Sequence, residues 1–342
     1  MFRQRSRRRD VIVATARPIP ESGPDGISPP PQPAGAADGA RGLSARPLHV
    51  GLSIAPAEDF RAATLPLFER GIVDAIEWNV DMGWSPSGPP DWVCALLAAY
   101  ADAGRLYGHG VEFSLLSAEL SPRQCWWLER FAEEVRARSY VHISEHFGFL
   151  TAGEFVNNTV MPHPRTDAAL RLGRERLALL SGIAGKPVGL ENLAFAFSRR
   201  DVEEQPNFLE ALLAPGDGFL LLDLHNLYCQ AINFELPAEE LLARYPLARV
   251  REIHVAGGEL SHPRSDPQKR PFRRDSHVGD VPDEVYALLR VALARCHRAE
   301  VVIVERSDHT LSTDADLARF AADFERLRTV VSEVRGVTTD PT

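Results

Sequence analysis

Eight short apolar runs, separated by amphipathic stretches, organise this chain and constrain its fold more than any other feature. Each run has the length of a strand, and the stretches between them have the pattern of helices, which is typical of repeated βα units. The runs begin at His49, Ala75, Gly108, Tyr140, Pro187, Phe219, Arg251 and Val301. Eight such units predict an α/β fold, a (β/α)8 TIM barrel.

Helices are expected near 59–69, 91–103, 122–137, 166–184, 282–297 and 313–334. A doubly wound open sheet is the alternative fold. It is disfavoured because no Gly-x-Gly-x-x-Gly follows the first run to hold a dinucleotide.

Polar residues stand where the runs end, and in a TIM barrel the active site lies at the carboxyl ends of the strands. The run-end residues are His109, His146, Glu191, Asp223, His254 and Glu305, and Asp275 and His277 follow the seventh run in a polar loop. Taken singly, each has an ordinary explanation, because loops carry polar residues anyway. Their convergence on one mouth would crowd buried charges together, and bound cations are the usual way to offset such crowding.

The predicted ligand set also limits the metal. Four imidazoles and four carboxylates without a thiolate suit Fe, Mn or Zn, and eight side chains are too many for one ion of coordination number four to six. We therefore expect two or three ions that share carboxylates, with Glu191 as the candidate bridge. Ligand type alone leaves open whether iron performs O2 chemistry or zinc performs hydrolysis.

Charge and composition exclude two classes of partner. The net charge of -9 argues against non-specific nucleic-acid binding, although Arg270, Arg273 and Arg274 lie beside the Asp275-x-His277 pair. No run of eighteen apolar residues is present to span a bilayer.

The four cysteines Cys94, Cys125, Cys229 and Cys296 form no Cys-x-x-Cys pair. This spacing argues against a disulfide framework and favours the reducing cytoplasm as the compartment of the protein.

Both ends of the chain differ in composition from its centre. Residues 1–46 are rich in Pro, Gly, Ala and Arg, and such a segment buries too little apolar surface to offset the entropy of ordering. We predict a disordered basic tail at 1–46, a catalytic barrel at 47–336 and a short disordered tail at 337–342.

Several short motifs, in their order and spacing, resemble one known family. These motifs are His109-Gly-Val, Ser144-Glu-His146, Leu190-Glu-Asn192, Leu222-Asp-Leu-His-Asn226, Glu252-Ile-His-Val-Ala-Gly257, Asp275-Ser-His277 and Val304-Glu305. Over about residues 48–335 the chain is similar to the DUF692 (UPF0276) group. That group comprises multinuclear non-haem iron-dependent oxidases, such as the enzymes of methanobactin and 3-thiaglutamate biosynthesis.

This resemblance implies a xylose-isomerase-like TIM barrel that holds two or three iron ions, Fe2+ or Fe3+, with O2 as co-substrate. The reaction it implies is oxidation of a cysteine in a ribosomally synthesised peptide, often with a separate partner protein that captures the leader. It also implies that Asn226 joins the eight ligands above. Asn192, Asn226 and Glu145 are expected to hold the imidazoles in the required tautomer.

The chain departs from the family pattern at three places. His225 stands where the family typically has Asn, and Gly258 stands where it usually has a second His. After Glu305, where the family tends to have Trp and then Asp, this chain has Arg306 and Ser307, and Asp308 comes one place later. We expect these positions to line the substrate side of the metals, with His225 and Asp308 as candidate catalytic residues.

Two other functions fit parts of the pattern. Sugar isomerases or epimerases and phosphoesterases of the xylose-isomerase-like barrels use divalent metals held by a similar order of His, Glu, Asp and His. A non-enzymatic binding module, with the proline-rich tail as docking segment, explains the tail but leaves the imidazole and carboxylate cluster unexplained.

Overall fold

The computed structural model describes residues 47–85, 87–262 and 270–336, so both predicted tails lie outside the described residues. The strands are β1 (His49–Ile54), β2 (Ala75–Asn79), β3 (Leu106–Gly110), β4 (Ile143–His146), β5 (Phe149–Ala152), β6 (Phe155–Met161), β7 (Val188–Glu191), β8 (Leu220–Asp223), β9 (Val250–Ala256), β10 (Glu259–Ser261), β11 (Phe272–Arg274) and β12 (Val301–Glu305). The α-helices are α1 (Glu58–Glu69), α2 (Asp91–Asp102), α3 (Pro122–Ala137), α4 (Asp167–Ala184), α5 (Arg199–Leu213), α6 (Leu224–Phe234), α7 (Ala238–Leu242), α8 (Asp283–Arg295) and α9 (Asp314–Arg335).

Eight of these strands close into a parallel barrel in the order β1, β2, β3, β4, β7, β8, β9, β12. The predicted TIM barrel is therefore confirmed, and each of the eight apolar runs overlaps one barrel strand, although β3 begins two residues before the predicted third run. Strand alternation places every second side chain in the lumen. On β9, Glu252 and His254 point inward while Ile253 packs in the outer core between barrel and helices.

Helix boundaries follow local capping chemistry. Ser121 caps α3 and forms a capping box with Gln124, and Thr313 caps α9 in the same way with Asp316. Gly185 ends α4 in the left-handed region at φ 64°, where a glycine has no steric penalty. These signals explain why the predicted helix bounds agree with the structure to within a few residues.

Two antiparallel hairpins, β5 with β6 and β10 with β11, are additions that the pattern of eight runs does not predict. One follows β4 and the other follows β9, so both rise from the carboxyl ends of the barrel strands. Their position makes them walls of the mouth.

The lower lumen holds a buried charged network instead of apolar side chains alone. His142 lies 3.0 Å from Oε2 of Glu252 and 3.5 Å from Oε2 of Glu300, and Arg251 pairs with Glu300 at 2.9 Å. Nearby lie Ala75, Tyr107, Val301 and Ile303, a small apolar cluster. The floor of the site therefore combines buried charged side chains with a small apolar cluster. Within the described residues, no helix combines the length and apolar character needed to cross a membrane.

Candidate metal centre

The carboxyl ends of β2, β3, β4, β7, β8, β9 and β12, with the loop after β11, bring ligand atoms into one cluster. The cluster contains four overlapping triads of possible ligands. Within each triad, the ligand atoms all lie within 4.8 Å of one another. The triads are His109, His146 and Glu191; Glu77, His254 and Glu305; Glu191, Asp223 and His254; and Asp223, His277 and Glu305. Seven of the eight residues expected from run ends and the following loop thus belong to a triad, and Asp275 lies beside them.

Glu191 lies at the centre of the first triad. Its Oε2 is 3.2 Å from Nε2 of His109 and 3.1 Å from Nε2 of His146, yet this buried oxygen makes no hydrogen bond. Such close but misdirected contacts are what a cation between three lone pairs would satisfy. Burial raises the pKa of the Glu191 carboxyl, but the charges of His146 and His109 outweigh it and hold that pKa well below its usual range.

The remaining triads share members, which is the arrangement that bridged ions require. Glu191 belongs to two triads, as do Asp223, His254 and Glu305. Nδ1 of His254 lies 3.1 Å from Oε2 of Glu305 without a hydrogen bond, and Oδ2 of Asp223 is also buried without one. Burial, followed by the charges of Asp275, Glu191 and Glu305, raises the pKa of Asp223 well above its usual value. This crowding of carboxylates fits a site for bound cations.

Hydrogen bonds on the far side of each ring fix which imidazole nitrogen faces the cluster. His109 Nδ1 lies 2.8 Å from Oγ of Ser144, and His146 Nδ1 lies 3.3 Å from the carbonyl of Val111. The carbonyl can only accept, so His146 carries its proton on Nδ1. Because Ser144 can donate to the Gly108 carbonyl, His109 is assigned the same tautomer. A bound cation would thus be offered Nε2 of each ring, whereas without one these nitrogens carry the protons whose charge lowers the pKa of Glu191.

The expected orienting role of Asn192, Asn226 and Glu145 is wrong. Asn192 exchanges hydrogen bonds with the backbone of Asp223, and Glu145 accepts from the backbone N–H of His146. Asn226 donates to Oε1 of Glu191 at 2.8 Å. These three side chains therefore bind backbone groups or the Glu191 carboxylate instead of the imidazole rings. The rings point into the lumen and contact residues of other strands there.

Glu77 is a further candidate site residue, outside the set predicted from the run ends. Its side chain is fully buried on β2, and Oε2 accepts from Nε2–H of His254 at 3.0 Å, which leaves Nδ1 free to face Glu305. The signal was present, because Glu77 stands near the end of the second run as the other candidates do. Its position between the apolar residues Ile76 and Trp78 makes it resemble an ordinary member of the strand.

The loop after β11 adds Asp275 and His277. Asp275 Oδ1 lies 3.0 Å from Nε2 of His277 and 3.0 Å from Nδ1 of His225. Since Nε2 of His225 accepts from Nε–H of Arg273 at 3.2 Å, its proton sits on Nδ1 and is donated to Asp275. Burial lowers the pKa of His225, consistent with a neutral ring. His225 therefore contacts a predicted ligand and belongs to no triad itself.

Two further candidates lie at the edge of the cluster. Asn226 keeps a buried Oδ1 without a hydrogen bond, so a ligand role for that oxygen stays a prediction. Asp308 is half exposed at the rim, with Oδ2 3.7 Å from Nε2 of His309, and lines a cavity of about 220 Å³ together with Glu305. Its catalytic role stays a prediction too.

A larger cavity of about 650 Å³ opens from the cluster toward solvent. Its inner wall includes His146, Glu191, Asp275 and His277. Apolar side chains from both hairpins and from the segment after β7 form much of the rest, namely Leu150, Val156, Val160, Leu193, Phe195 and Phe272. The cluster is thus accessible to a molecule larger than a single sugar.

Residues 88–331 match the family model described as RiPP precursor modification enzyme MbnB/TglH/ChrH. The chain belongs to this family. Family members with similar sequence include a UPF0276 protein of Acaryochloris marina, 30% identical over 189 residues, which are 55% of this chain and 64% of that protein. A UPF0276 protein of Pseudomonas aeruginosa is 31% identical over 202 residues, 59% of this chain and 65% of that protein. The chain therefore spans just under two thirds of these relatives, and the DUF692/UPF0276 resemblance is confirmed.

Solved structures show the fold that the family shares with other barrels. L-ribulose 3-epimerase has a TM-score of 0.56 at 14% identity, with 86% of this chain and 100% of that chain covered. Endonuclease IV from Thermus thermophilus has a TM-score of 0.51 at 15% identity, with 83% and 99% covered. At such identities the likeness establishes the barrel fold alone.

Proposed function

We propose that this protein is a multinuclear iron-dependent oxidase that uses O2 to modify a cysteine in a ribosomally synthesised peptide. The observation that most directly supports this proposal is the cluster of four overlapping, sulfur-free triads at the barrel mouth. Family membership supports the peptide as substrate class. A ligand set of imidazole and carboxylate suits iron that activates O2.

The triads suggest how the chain divides its ligands among the ions. His109, His146 and Glu191 would hold one ion; Asp223 and His254, with Glu191 and Glu305 on either side, would hold the second. His277, beside Asp275, Asp223 and Glu305, would complete a third position. When bound, iron supplies the one-electron chemistry with O2 that amino-acid side chains lack. The protein's own contribution is to fix the imidazole tautomers and to crowd carboxylates into a buried site, where a bound cation would keep Asp223 charged.

The surface around the mouth favours a peptide over a smaller polar substrate. The exposed large apolar side chains of the described residues are Met82, Leu120, Trp126, Phe155, Val156, Leu179, Phe195, Phe197, Leu260 and Phe272. All but Leu179 lie on segments that follow a barrel strand, in a loop, a hairpin or the first turns of a helix. An apolar rim concentrated at one end of a barrel is typical of a surface that binds another chain.

The divalent-metal sugar isomerase, epimerase or phosphoesterase is the second candidate. Its support is the shared barrel architecture, which carries no activity with it. The cavity wall does offer donors such as Arg273, but Leu150, Val156 and Phe195 also present hydrocarbon there, which suits the side chains of a peptide better than a sugar or a phosphate. The peptide-modifying oxidase is therefore the better account.

The deciding experiment purifies the full-length protein without oxygen and measures its metals together with its EPR spectrum. We expect two or three iron ions per chain, a signal that changes on exposure to O2, and O2 consumption that depends on a cysteine-containing peptide. The same peptide with serine in place of cysteine is the control. Addition of candidate leader-binding proteins then tests whether a partner delivers the peptide. Stoichiometric zinc without iron, accompanied by hydrolysis of a sugar or phosphate ester, would overturn the proposal.

A further inference from the structure

Arg273, on hairpin strand β11, lines the 650 Å³ cavity together with Asp275 and His277 of the candidate metal centre. Its guanidinium stacks on the ring of Tyr228, 4.9 Å from the ring centroid. Nε–H donates to Nε2 of His225 at 3.2 Å, and Nη2 donates to the carbonyl of Gly258 at 3.3 Å. Contacts from α6 and from the turn after β9 therefore hold this cation in one orientation.

The backbone of Arg273 is held as firmly as its side chain. Asn233, on α6, accepts from the N–H of Arg273 at 2.7 Å and donates to its carbonyl at 2.9 Å. This double hydrogen bond attaches β11 to the barrel, and it leaves the guanidinium little freedom to turn away. A group fixed in this way loses little conformational entropy when it binds a ligand.

No carboxylate in the described part of the chain lies within ion-pair distance of the Arg273 guanidinium, although this residue is partly buried. Arg123, another arginine on the same cavity wall, already pairs with Glu112 at 2.7 Å. The contacts of Arg273 are instead an imidazole, a carbonyl and an aromatic face, and none neutralises its charge. A partly buried cation that has no carboxylate partner among the described residues favours an anionic ligand.

We infer that Arg273 forms a carboxylate-binding subsite in the substrate cavity and binds one acidic group of the peptide substrate. This inference rests on the proposed peptide substrate. A planar guanidinium matches a carboxylate with two parallel hydrogen bonds, which a lysine cannot reproduce. The carboxylate can belong to the peptide's C-terminus or to an Asp or Glu side chain, since both present the same two oxygens.

The position of the subsite also sets the direction of the peptide. The inner cavity wall carries Glu191 and Asp275, which would hold the ions in the proposed site, so the reacting cysteine belongs at that end of the cavity. The acidic group is therefore held at β11 while the neighbouring residues extend to the ions. His225 joins the two regions, because it accepts from Arg273 and donates to Asp275.

The test measures peptide binding without turnover. It uses the full-length protein, with the metals that it retains on purification, under anaerobic conditions. The probes are two pools of pentapeptides with a central cysteine and varied flanking residues, one with a free carboxyl terminus and one amide-capped. Peptides retained by the protein on size exclusion are identified by mass spectrometry. We expect peptides with an available carboxylate to be enriched at least about tenfold over neutral amide-capped peptides.

The pattern of enrichment identifies the source of the carboxylate. Enrichment of the free-acid pool regardless of sequence assigns the C-terminus, and enrichment of Asp- or Glu-containing members of the capped pool assigns a side chain. Arg273→Gln should abolish either preference, and Arg273→Lys should retain only part of it. Arg298→Gln, a change at an exposed arginine in the α8–β12 loop, is the matched control and should leave it intact.

Three outcomes would overturn the inference: equal retention of neutral and acidic peptides, an acidic preference that survives Arg273→Gln, or no retained peptide in either pool. Metal content is measured for each variant, and Arg273→Lys keeps the test valid if Arg273→Gln disturbs β11. Because no oxidation is required, a carboxylate preference without O2 chemistry would refute the proposed oxidase alone. O2 chemistry without the preference would refute the subsite alone.

Discussion

His225 occupies the space that a side chain at position 258 would need. A Cβ placed on Gly258 would lie 2.7 Å from Nε2 of His225 and closer still to Cε1. The two departures from the family pattern at these positions are therefore one change in space. The imidazole enters from α6, and the residue opposite it on the β9–β10 turn must be glycine.

The first prediction concerns this contact. Gly258→Ala should push His225 from Asp275 and lower the free energy of unfolding by about 1–3 kcal/mol, as overpacking of a filled site does. Because the new Cβ would also collide with the carbonyl of Arg274, adding His225→Ala should restore only part of the loss. Urea denaturation measures both effects. Gly182→Ala, in α4 with open space around it, is the control and should be neutral or stabilising.

The second prediction concerns the hydrogen bond from His254 to Glu77. Glu77→Leu removes the acceptor that holds His254, so metal affinity should fall by roughly 10- to 100-fold. Glu77→Gln keeps an oxygen that can accept from Nε2–H and should retain most of the affinity. Competition with a chelator measures both. If Gln lowers affinity as much as Leu, Glu77 binds metal directly through its charge.

A third prediction follows from the sharing of Glu191 between two triads. Glu191→Ala should remove more than one ion per chain, whereas His146→Ala, which alters one triad, should remove about one. Metal analysis by mass spectrometry of anaerobically purified protein gives the stoichiometry. His297→Ala, a change at an exposed histidine, is the control. Full occupancy in Glu191→Ala would show that the bridging assignment is wrong.

The fourth prediction concerns the pH dependence of stability at His163. Burial between the rings of Phe147 and Phe208 lowers the pKa of His163 to about 4. The unfolded chain, with a histidine pKa near 6.5, binds the proton more readily. This residue therefore has no effect on stability above pH 6.5 and lowers stability as the pH falls toward 4, by a total on the order of 3 kcal/mol.

His163→Leu should remove that dependence. Unfolding free energies of the variant and the parent, measured at pH 7, 6 and 5, should converge or cross in favour of the variant as the pH falls. His297→Leu, at an exposed site, should run parallel to the parent protein. A constant difference between His163→Leu and the parent at all three values would contradict the assignment.

The fifth prediction concerns the N-terminal segment. A chain that lacks residues 1–45 should fold and bind the same number of metal ions, because every proposed ligand lies after the first barrel strand. Circular dichroism and metal analysis of the shortened protein test this. Loss of soluble protein would contradict the expected disorder of that segment.

The barrel and most of its cluster could be predicted from the sequence because each depends on local pattern. Strand runs recur with helical stretches between them, and parallel strands all present their carboxyl ends to one mouth. Any polar residue at such an end is therefore a candidate without knowledge of its neighbours. His109, His146, Glu191, Asp223, His254 and Glu305 were found in this way.

Only the tertiary structure decided which side chains form hydrogen bonds with one another. Glu77 and His254 are 177 positions apart, and their 3.0 Å contact follows from barrel closure rather than from any local pattern. The tautomers of the imidazoles, the role of His225 and the fixed orientation of Arg273 have the same origin. Hydrogen bonds are set by distances of a few tenths of an ångström between distant residues, whereas strands and helices are set by the periodicity of neighbours.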